Sequence, residues 1–337
     1  MAGRQGAYIF GCAGECLLPD EAAFFADAQP WGFILFARNI RNPEQLRRLT
    51  DALRAAVGWN APIFIDQEGG RVQRMGPPHW QQWLPPLDQV SANPGAAERS
   101  MFLRYRLIAD ELRAVGIDGN CAPCADVATP HTHPVLRNRC YGQDPQTVTR
   151  ISRAVANALL AGGVLPILKH IPGHGRARLD SHLELPHVTA PRHDLEAVDF
   201  AAMQALADLP LGMSAHIVYQ DIDPQAPATI SPIMTGLIRD QIGFAGLLMS
   251  DDISMQALAG DVRQRSRAAL AAGLDMILHC NGDLAEMMQI AQQAGHLTKP
   301  GQARADAALA MRHSPDPIDK ASLQDELDHL LREATHG

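Results

Sequence analysis

The chain has 337 residues, 46% of them hydrophobic and 20% charged, a composition that can bury a sizeable core in one large α/β domain. Its net charge of -8 and pI of about 5.9 argue against nucleic acid or anionic lipid as the main partner, since both recruit a basic face. The longest uncharged runs, 154–168 and 224–238, fall short of the ~20 residues a bilayer span needs and are interrupted by Gly162, Gly163, Pro166, Pro227 and Pro232, so no membrane span is expected.

Taken in chain order, eight short apolar runs read as strands: 7–13, 32–37, 62–66, 117–126, 164–170, 212–217, 246–251 and 274–280. Most are continuously apolar, the pattern of a parallel sheet covered on both faces. Ile9-Phe10-Gly11-Cys12 in the first run has the look of a lipoprotein cleavage box. The apolar stretch before Cys12 is shorter than the roughly 7–15 residues of a secretory segment, so it is read as a strand. Between the runs lie amphipathic helical patterns at 43–56, 101–115, 145–161, 195–206, 231–241, 262–272 and 284–294, with Gly116 as a C-cap glycine. Alternation repeated about eight times indicates a (β/α)8 barrel of the TIM type rather than an open sheet. Residues 1–337 are read as a single catalytic domain, with 296–337 as a C-terminal helical extension.

The six cysteines fall at 12, 16, 121, 124, 140 and 280. Cys121-Ala122-Pro123-Cys124 has zinc or redox spacing, but no second pair matches it, so these residues are read as small buried hydrophobes inside a strand. His131 and His133 likewise lack metal-ligand spacing and are read as polar loop residues; no metal and no cofactor is expected.

Polar residues gather where the apolar runs stop: Asp66, Asp126, Lys169 with His170, His216, Asp251 and Asn281. In barrels of this kind the C-terminal strand ends build the active site. Three constellations there carry chemistry. Leu247-Leu248-Met249-Ser250 runs into Asp251 and Asp252; one carboxylate in a barrel mouth can attack an anomeric carbon, and we assign attack to Asp251 and support or capping to Asp252. Lys169-His170-Ile171-Pro172-Gly173-His174-Gly175 leads through Arg176-Ala177-Arg178-Leu179 to Asp180-Ser181-His182. Asp180 and His182 are two apart, so in an extended segment they face the same way, and a carboxylate beside an imidazole suits it to general acid/base work. Asp66-Gln67-Glu68-Gly69-Gly70-Arg71-Val72-Gln73-Arg74 offers a carboxylate for sugar hydroxyls and a guanidinium donor fork at Arg74; a purely structural Asp–Arg pair is the equal alternative.

These three motifs together resemble the bacterial β-N-acetylhexosaminidases of glycoside hydrolase family 3, the single-domain type that acts in peptidoglycan recycling, over about residues 5–300. The resemblance implies Asp251 as nucleophile, His182 as acid/base paired with Asp180, and sugar contacts from Asp66, Arg74, Arg139, Lys169 and His170. Met213-Ser214-Ala215-His216 also looks like the family's strand-6 pattern. Two departures stand out: Arg139-Cys140-Tyr141-Gly142 resembles an Arg-Ser-Phe-Gly motif changed at two positions, and Arg176-Ala177-Arg178 replaces a small uncharged stretch. Larger relatives take their acid from a second domain; with no chain left for one here, the acid is expected inside the barrel. The implied activity is retaining hydrolysis of terminal β-linked N-acetylglucosamine from muropeptide fragments bearing 1,6-anhydro-N-acetylmuramic acid, in a cytoplasm, without cofactor. The rivals are a phosphorylase, which Arg176 and Arg178 would assist, and an inactive sugar-binding protein.

Overall fold

The computed structural model describes residues 5–179 and 184–333. Among these, eight parallel strands close into a barrel: β1 (Gly6–Phe10), β2 (Pro30–Leu35), β3 (Ile63–Ile65), β4 (Gly119–Asn120), β5 (Leu165–Ile171), β6 (Leu211–Ser214), β7 (Leu247–Asp252) and β8 (Met276–His279). Every apolar run named above contributes one of them. The fourth is far shorter than the run 117–126: the Ala122 amide turns back onto the Asn120 carbonyl and Pro123 has no N–H to give to a ladder, so contact with β5 continues through the Ile167 and Lys169 amides on the Ala122 and Pro123 carbonyls and an isolated bridge between Cys124 and Lys169.

Side-chain parity explains both the core and the site. Successive strand residues point to opposite faces. Ala7 and Ile9, Leu165 and Ile167, Leu211 and Met213, Leu247 and Met249, and Met276 and Leu278 point into the lumen, where they pack together with Trp31, Ile34 and Phe64. Tyr8, Phe10, Ile63, Ile65, Leu248 and Ile277 point outward into the larger core beneath the helices. Both faces are therefore apolar, which accounts for the continuous rather than alternating runs.

The helices match their sequence patterns closely. Pro43–Val57 starts at an Asn42 cap whose side chain accepts from the Gln45 amide, and ends at Gly58 in the left-handed region. Pro145–Ala161 is capped by Asp144, Val262–Ala271 by Asp261 and Leu284–Ala294 by Asp283. The stretch 192–204 is helical with a π-type turn at Glu196–Phe200. No helix among the described residues is long and apolar enough to cross a membrane.

The floor of the barrel is sealed by the helix Lys299–Ala310. Leu297, Ala305 and Ala308 pack onto the lumen side chains from below. Two buried carboxylates at the N-terminal strand ends fasten this plug. Asp275 receives Arg304 at 2.8 Å and Arg239 at 2.7 Å. Asp118 receives Arg312 at 2.9 Å, Arg54 at 3.2 Å and the Ile63 amide at 2.8 Å. Removing one charge from such a buried cluster strands the others. Asp118→Asn is therefore expected to cost about 3–5 kcal/mol of stability, read as a lower urea midpoint with an unchanged transition slope.

Candidate active site

The inward parity of each strand continues past its end into a cavity of about 320 Å3 at the opposite, C-terminal face. Phe36 follows Ile34, Asp66 follows Phe64, Lys169 follows Ile167, Asp251 follows Met249 and Cys280 follows Leu278, and all five of these later residues line it. Asp252, one step out of phase, also reaches the wall, but its carboxylate is occupied. It accepts from the Ser254 amide and hydroxyl and, at 3.2 Å, from the Cys280 amide. Asp251 is half-buried against the cavity, with Oδ1 accepting from the Asp252 amide at 2.8 Å. A register irregularity between Leu168 and Ile171 lets Lys169 and His170, adjacent in sequence, both face the cavity.

A network of opposite charges forms one wall. The Lys169 ammonium donates to Asp66 at 2.9 Å and meets Glu68 at 2.6 Å. Arg139 grips Glu68 with two bonds, Nε at 2.9 Å and Nη2 at 2.8 Å, and Arg74 reaches Asp66 at 3.1 Å. Such bidentate pairs are stronger and more directional than neutral hydrogen bonds. Burial alone would raise the Asp66 carboxyl, yet Lys169 and Arg74 override it and hold it well below the usual carboxylate range. The same contest, with Arg139 and Lys169 opposing burial, brings Glu68 down to about 2. Burial disfavours the Lys169 ammonium, but its two carboxylates hold it above its ordinary value. Asp66, Glu68, Lys169 and Arg139 are all charged at neutral pH.

Behind the wall, Asp126 sets the position of His170. Its Oδ2 accepts from the His170 ring Nδ1 at 2.7 Å, and Oδ1 accepts from the backbone amides of His170 at 3.3 Å and His174 at 2.6 Å. The proton therefore sits on Nδ1, and Nε2 faces Arg139 at 3.4 Å as an acceptor. Burial pushes the His174 imidazole down to about 4, so it is neutral at physiological pH.

Five of the sequence-stated site residues, Asp66, Arg74, Arg139, Lys169 and His170, thus meet around one cavity with Asp251. Asp180 and His182 lie outside the described residues; Leu179, the last described residue before them, lines the cavity. The preceding loop is anchored by Thr132 on the Gly175 carbonyl at 2.5 Å and by the His133 amide on the Ala177 carbonyl. Arg176, which together with Arg178 would assist the rival phosphorylase, donates to buried Asp199 at 2.6 Å. Two strand-end residues are corrected. His216 is fully buried, bridging Thr229 and the Asp252 carbonyl, and so braces the end of β7 from outside. Asn281 donates to Glu286 and accepts from the Asp283 amide, at the start of the last barrel helix rather than in the cavity.

Glu68 is the residue the sequence reading passed over. The signal was present: it shares parity with Asp66, and Gly69-Gly70 turn the chain back directly after it. Gly69 has φ +105°, and a Cβ there would collide with the Arg104 guanidinium, which donates to the Glu68 carbonyl.

The geometry has counterparts among known proteins. The family model for the glycosyl hydrolase family 3 N-terminal domain matches residues 19–310. A beta-hexosaminidase of Alkalilimnicola ehrlichii is 38% identical over 285 residues, 82% of this chain and 81% of its own. NagZ from Neisseria gonorrhoeae, solved in complex with N-trifluoroacetyl-D-glucosamine, superposes with a TM-score of 0.83 at 30% identity, over 98% of this chain and 97% of its own. A family 3 beta-N-acetylglucosaminidase from Paenibacillus gives a TM-score of 0.84 at 25% identity, and this chain covers 66% of that longer one. With the family model spanning most of the barrel and relatives at this identity covering nearly the whole chain, the protein belongs to glycoside hydrolase family 3.

Proposed function

We propose that this protein is a retaining β-N-acetylglucosaminidase that releases terminal β-linked N-acetylglucosamine from muropeptide fragments ending in 1,6-anhydro-N-acetylmuramic acid, as part of peptidoglycan recycling in the cytoplasm. The observation that carries the reading is the in-phase, cavity-facing carboxylate of Asp251 opposite the Asp66–Lys169–Glu68–Arg139 wall. The relatives' names supply the amino-sugar specificity.

In the mechanism, Asp251 attacks C1 of the sugar and forms a glycosyl ester, while His182, oriented by Asp180, gives its proton to the departing glycosidic oxygen. His182 then removes a proton from water, whose oxygen attacks C1 and frees Asp251. Retention follows from the two inversions. Asp66 accepts from sugar hydroxyls, with Lys169 and Arg74 fixing its two oxygens; Arg139 and His170 complete the grip. Because each of these charges already has a partner, little reorganisation accompanies substrate entry.

The phosphorylase alternative loses one of its two proposed anion contacts, since Arg176 is held by Asp199. An aryl N-acetyl-β-glucosaminide incubated in phosphate buffer is accordingly expected to yield free sugar; sugar 1-phosphate as the main product would overturn hydrolysis.

Asp251→Asn is expected to fold normally and lose nearly all turnover. A 5-fluoro glycosyl inactivator should label the wild-type peptide at Asp251 by mass spectrometry, and a label on Asp252 would reverse the assignment. In His182→Ala, the loss on natural disaccharide should be about 100- to 10,000-fold, the usual worth of general acid help. With a dinitrophenyl leaving group the glycosyl-enzyme should form and accumulate, and azide should restore turnover and give the β-glycosyl azide. Near wild-type rates on the natural substrate, or no azide adduct, would place the acid/base elsewhere, with His174 next in line.

A further inference from the structure

Directly behind the sugar-facing edge of His170 lies a set of donor atoms that the hydrolytic mechanism does not use as a set. Asp126 Oδ2, which takes the His170 Nδ1 proton at 2.7 Å, also accepts from the Cys124 thiol at 3.2 Å. One ligand atom each from Cys124, Asp126 and His170 lie within 4.8 Å of one another, and all three residues are buried. A second thiol completes the cluster. Cys140 is fully buried and packs with Cys124, Ala128 and Leu136, its thiol donating to the Leu136 carbonyl at 3.5 Å. Cys140 is also one of the two positions at which the Arg139–Gly142 motif departs from its family pattern.

Two thiols, an imidazole and a carboxylate form a donor set suited to tetrahedral zinc or its softer congener cadmium. Metal–sulfur bonds of about 2.3 Å and metal–nitrogen or metal–oxygen bonds of about 2.0–2.2 Å place tetrahedral ligand atoms roughly 3.3–3.8 Å apart. The 2.7 Å and 3.2 Å separations need only open modestly, and the wider ones close. The way in is from the substrate cavity: of the four residues, His170 alone lines it.

We propose that Cys124, Cys140, Asp126 and His170 form an inhibitory site for a soft divalent cation, zinc or cadmium, reached through the sugar cavity. Binding balances as follows. The cation takes the two sulfurs as thiolates, so two protons pass to solvent. It takes His170 at Nδ1, so that proton moves to Nε2 and the imidazole stays neutral. Asp126 remains a carboxylate and exchanges its hydrogen bond to Nδ1 for the metal. Two consequences follow. Nε2 now presents an N–H to the cavity, where it had offered a lone pair towards Arg139. Asp126 is also pulled from the amides of His170 and His174 that it aligns. A sugar seated over His170 closes the entry, so substrate and cation exclude each other. The binding claim rests on the cluster alone; the inhibition claim rests on the sugar-contact role proposed for His170.

The test is titration of the full chain with cadmium chloride, then zinc chloride, in chelator-treated buffer. Cadmium is followed by the ultraviolet thiolate-to-metal charge-transfer band and by equilibrium dialysis, both independent of activity, and in parallel by hydrolysis of an aryl N-acetyl-β-glucosaminide. One equivalent of cadmium should develop the band, the rate should fall at least tenfold, N-acetylglucosamine should slow the onset, and EDTA should reverse it. In Cys124→Val, which keeps the site apolar, and separately in Cys140→Ser, half-inhibition should need at least tenfold more metal, each variant being compared with its own metal-free rate. The band should be lost or halved in both, and unchanged in Cys280→Ala and Cys16→Ala. Equal metal sensitivity in Cys124→Val and wild type, loss of the band in Cys280→Ala, or no band at all would overturn the site. A band that maps to Cys124 and Cys140 with no loss of rate would overturn the inhibition claim and the His170 role while leaving the binding claim standing. If the wild type hydrolyses no aryl glycoside, the proposed function fails, and the band and dialysis still decide the site.

Discussion

The buried Glu68 carboxylate is the interaction on which the cavity depends. Its side chain is 1% exposed and holds both Lys169 and Arg139, two cations that would otherwise face each other across a dry wall. At an effective dielectric near 20, two like charges about 4 Å apart repel by roughly 4 kcal/mol. Glu68 converts that repulsion into a shared attachment and leaves Lys169 a second bond for Asp66. The order of parts follows: the hairpin Gln67–Gly69 with Val72–Gln73 places Glu68, Glu68 fixes the two cations, and Lys169 fixes the Asp66 carboxylate that lines the cavity.

The support extends outward by one more layer. Arg104, fully buried, donates to the Glu68 carbonyl and to Gln89, and Tyr105 reaches the same carbonyl at 3.3 Å. Gln67 ties the hairpin together by donating to the Met75 carbonyl and accepting from the Arg74 and Met75 amides. The two residues that hold Asp66 and Glu68 from the neighbouring strands, Lys169 and Arg139, come from β5 and from the loop after β4. The site is therefore made of strand ends and short loops clamped to one another, and its charges are positioned before any ligand arrives.

Much of this was legible in the sequence because a parallel barrel writes itself as apolar runs closed by polar residues. The runs located all eight strands, and the amphipathic patterns between them located the helices that begin at Pro43, Pro145, Val262 and Leu284. That Asp251 rather than Asp252 shares the parity of the lumen residues Leu247 and Met249 was legible too, by counting in twos along β7. What did not show was anything decided between elements. His216 and Asn281 end apolar runs as Asp66 does, but their partners, Thr229 and Glu286, are set by tertiary packing. The pairing of Arg176 with Asp199 spans 23 residues and has no local signature. Cys124 read as a small hydrophobe, which its burial supports, and its contact with the Asp126 carboxylate became visible only in three dimensions.

The plug beneath the barrel carries a consequence for how the molecule comes into being. Arg312 donates to the Asn60 carbonyl 252 residues before it and to Asp118 194 residues before it, and β1 finds its second neighbour only in β8. On a ribosome, the chain through β7 has emerged while the first strand still has an open edge, the lumen floor is uncovered, and Asp118 and Asp275 wait for Arg312 and Arg304. Such a nascent chain exposes apolar surface and an unpaired strand edge, the two features that invite misassembly. Sealing is thus a late event in the life of the polypeptide, and until it occurs the newly made barrel carries both features into its surroundings.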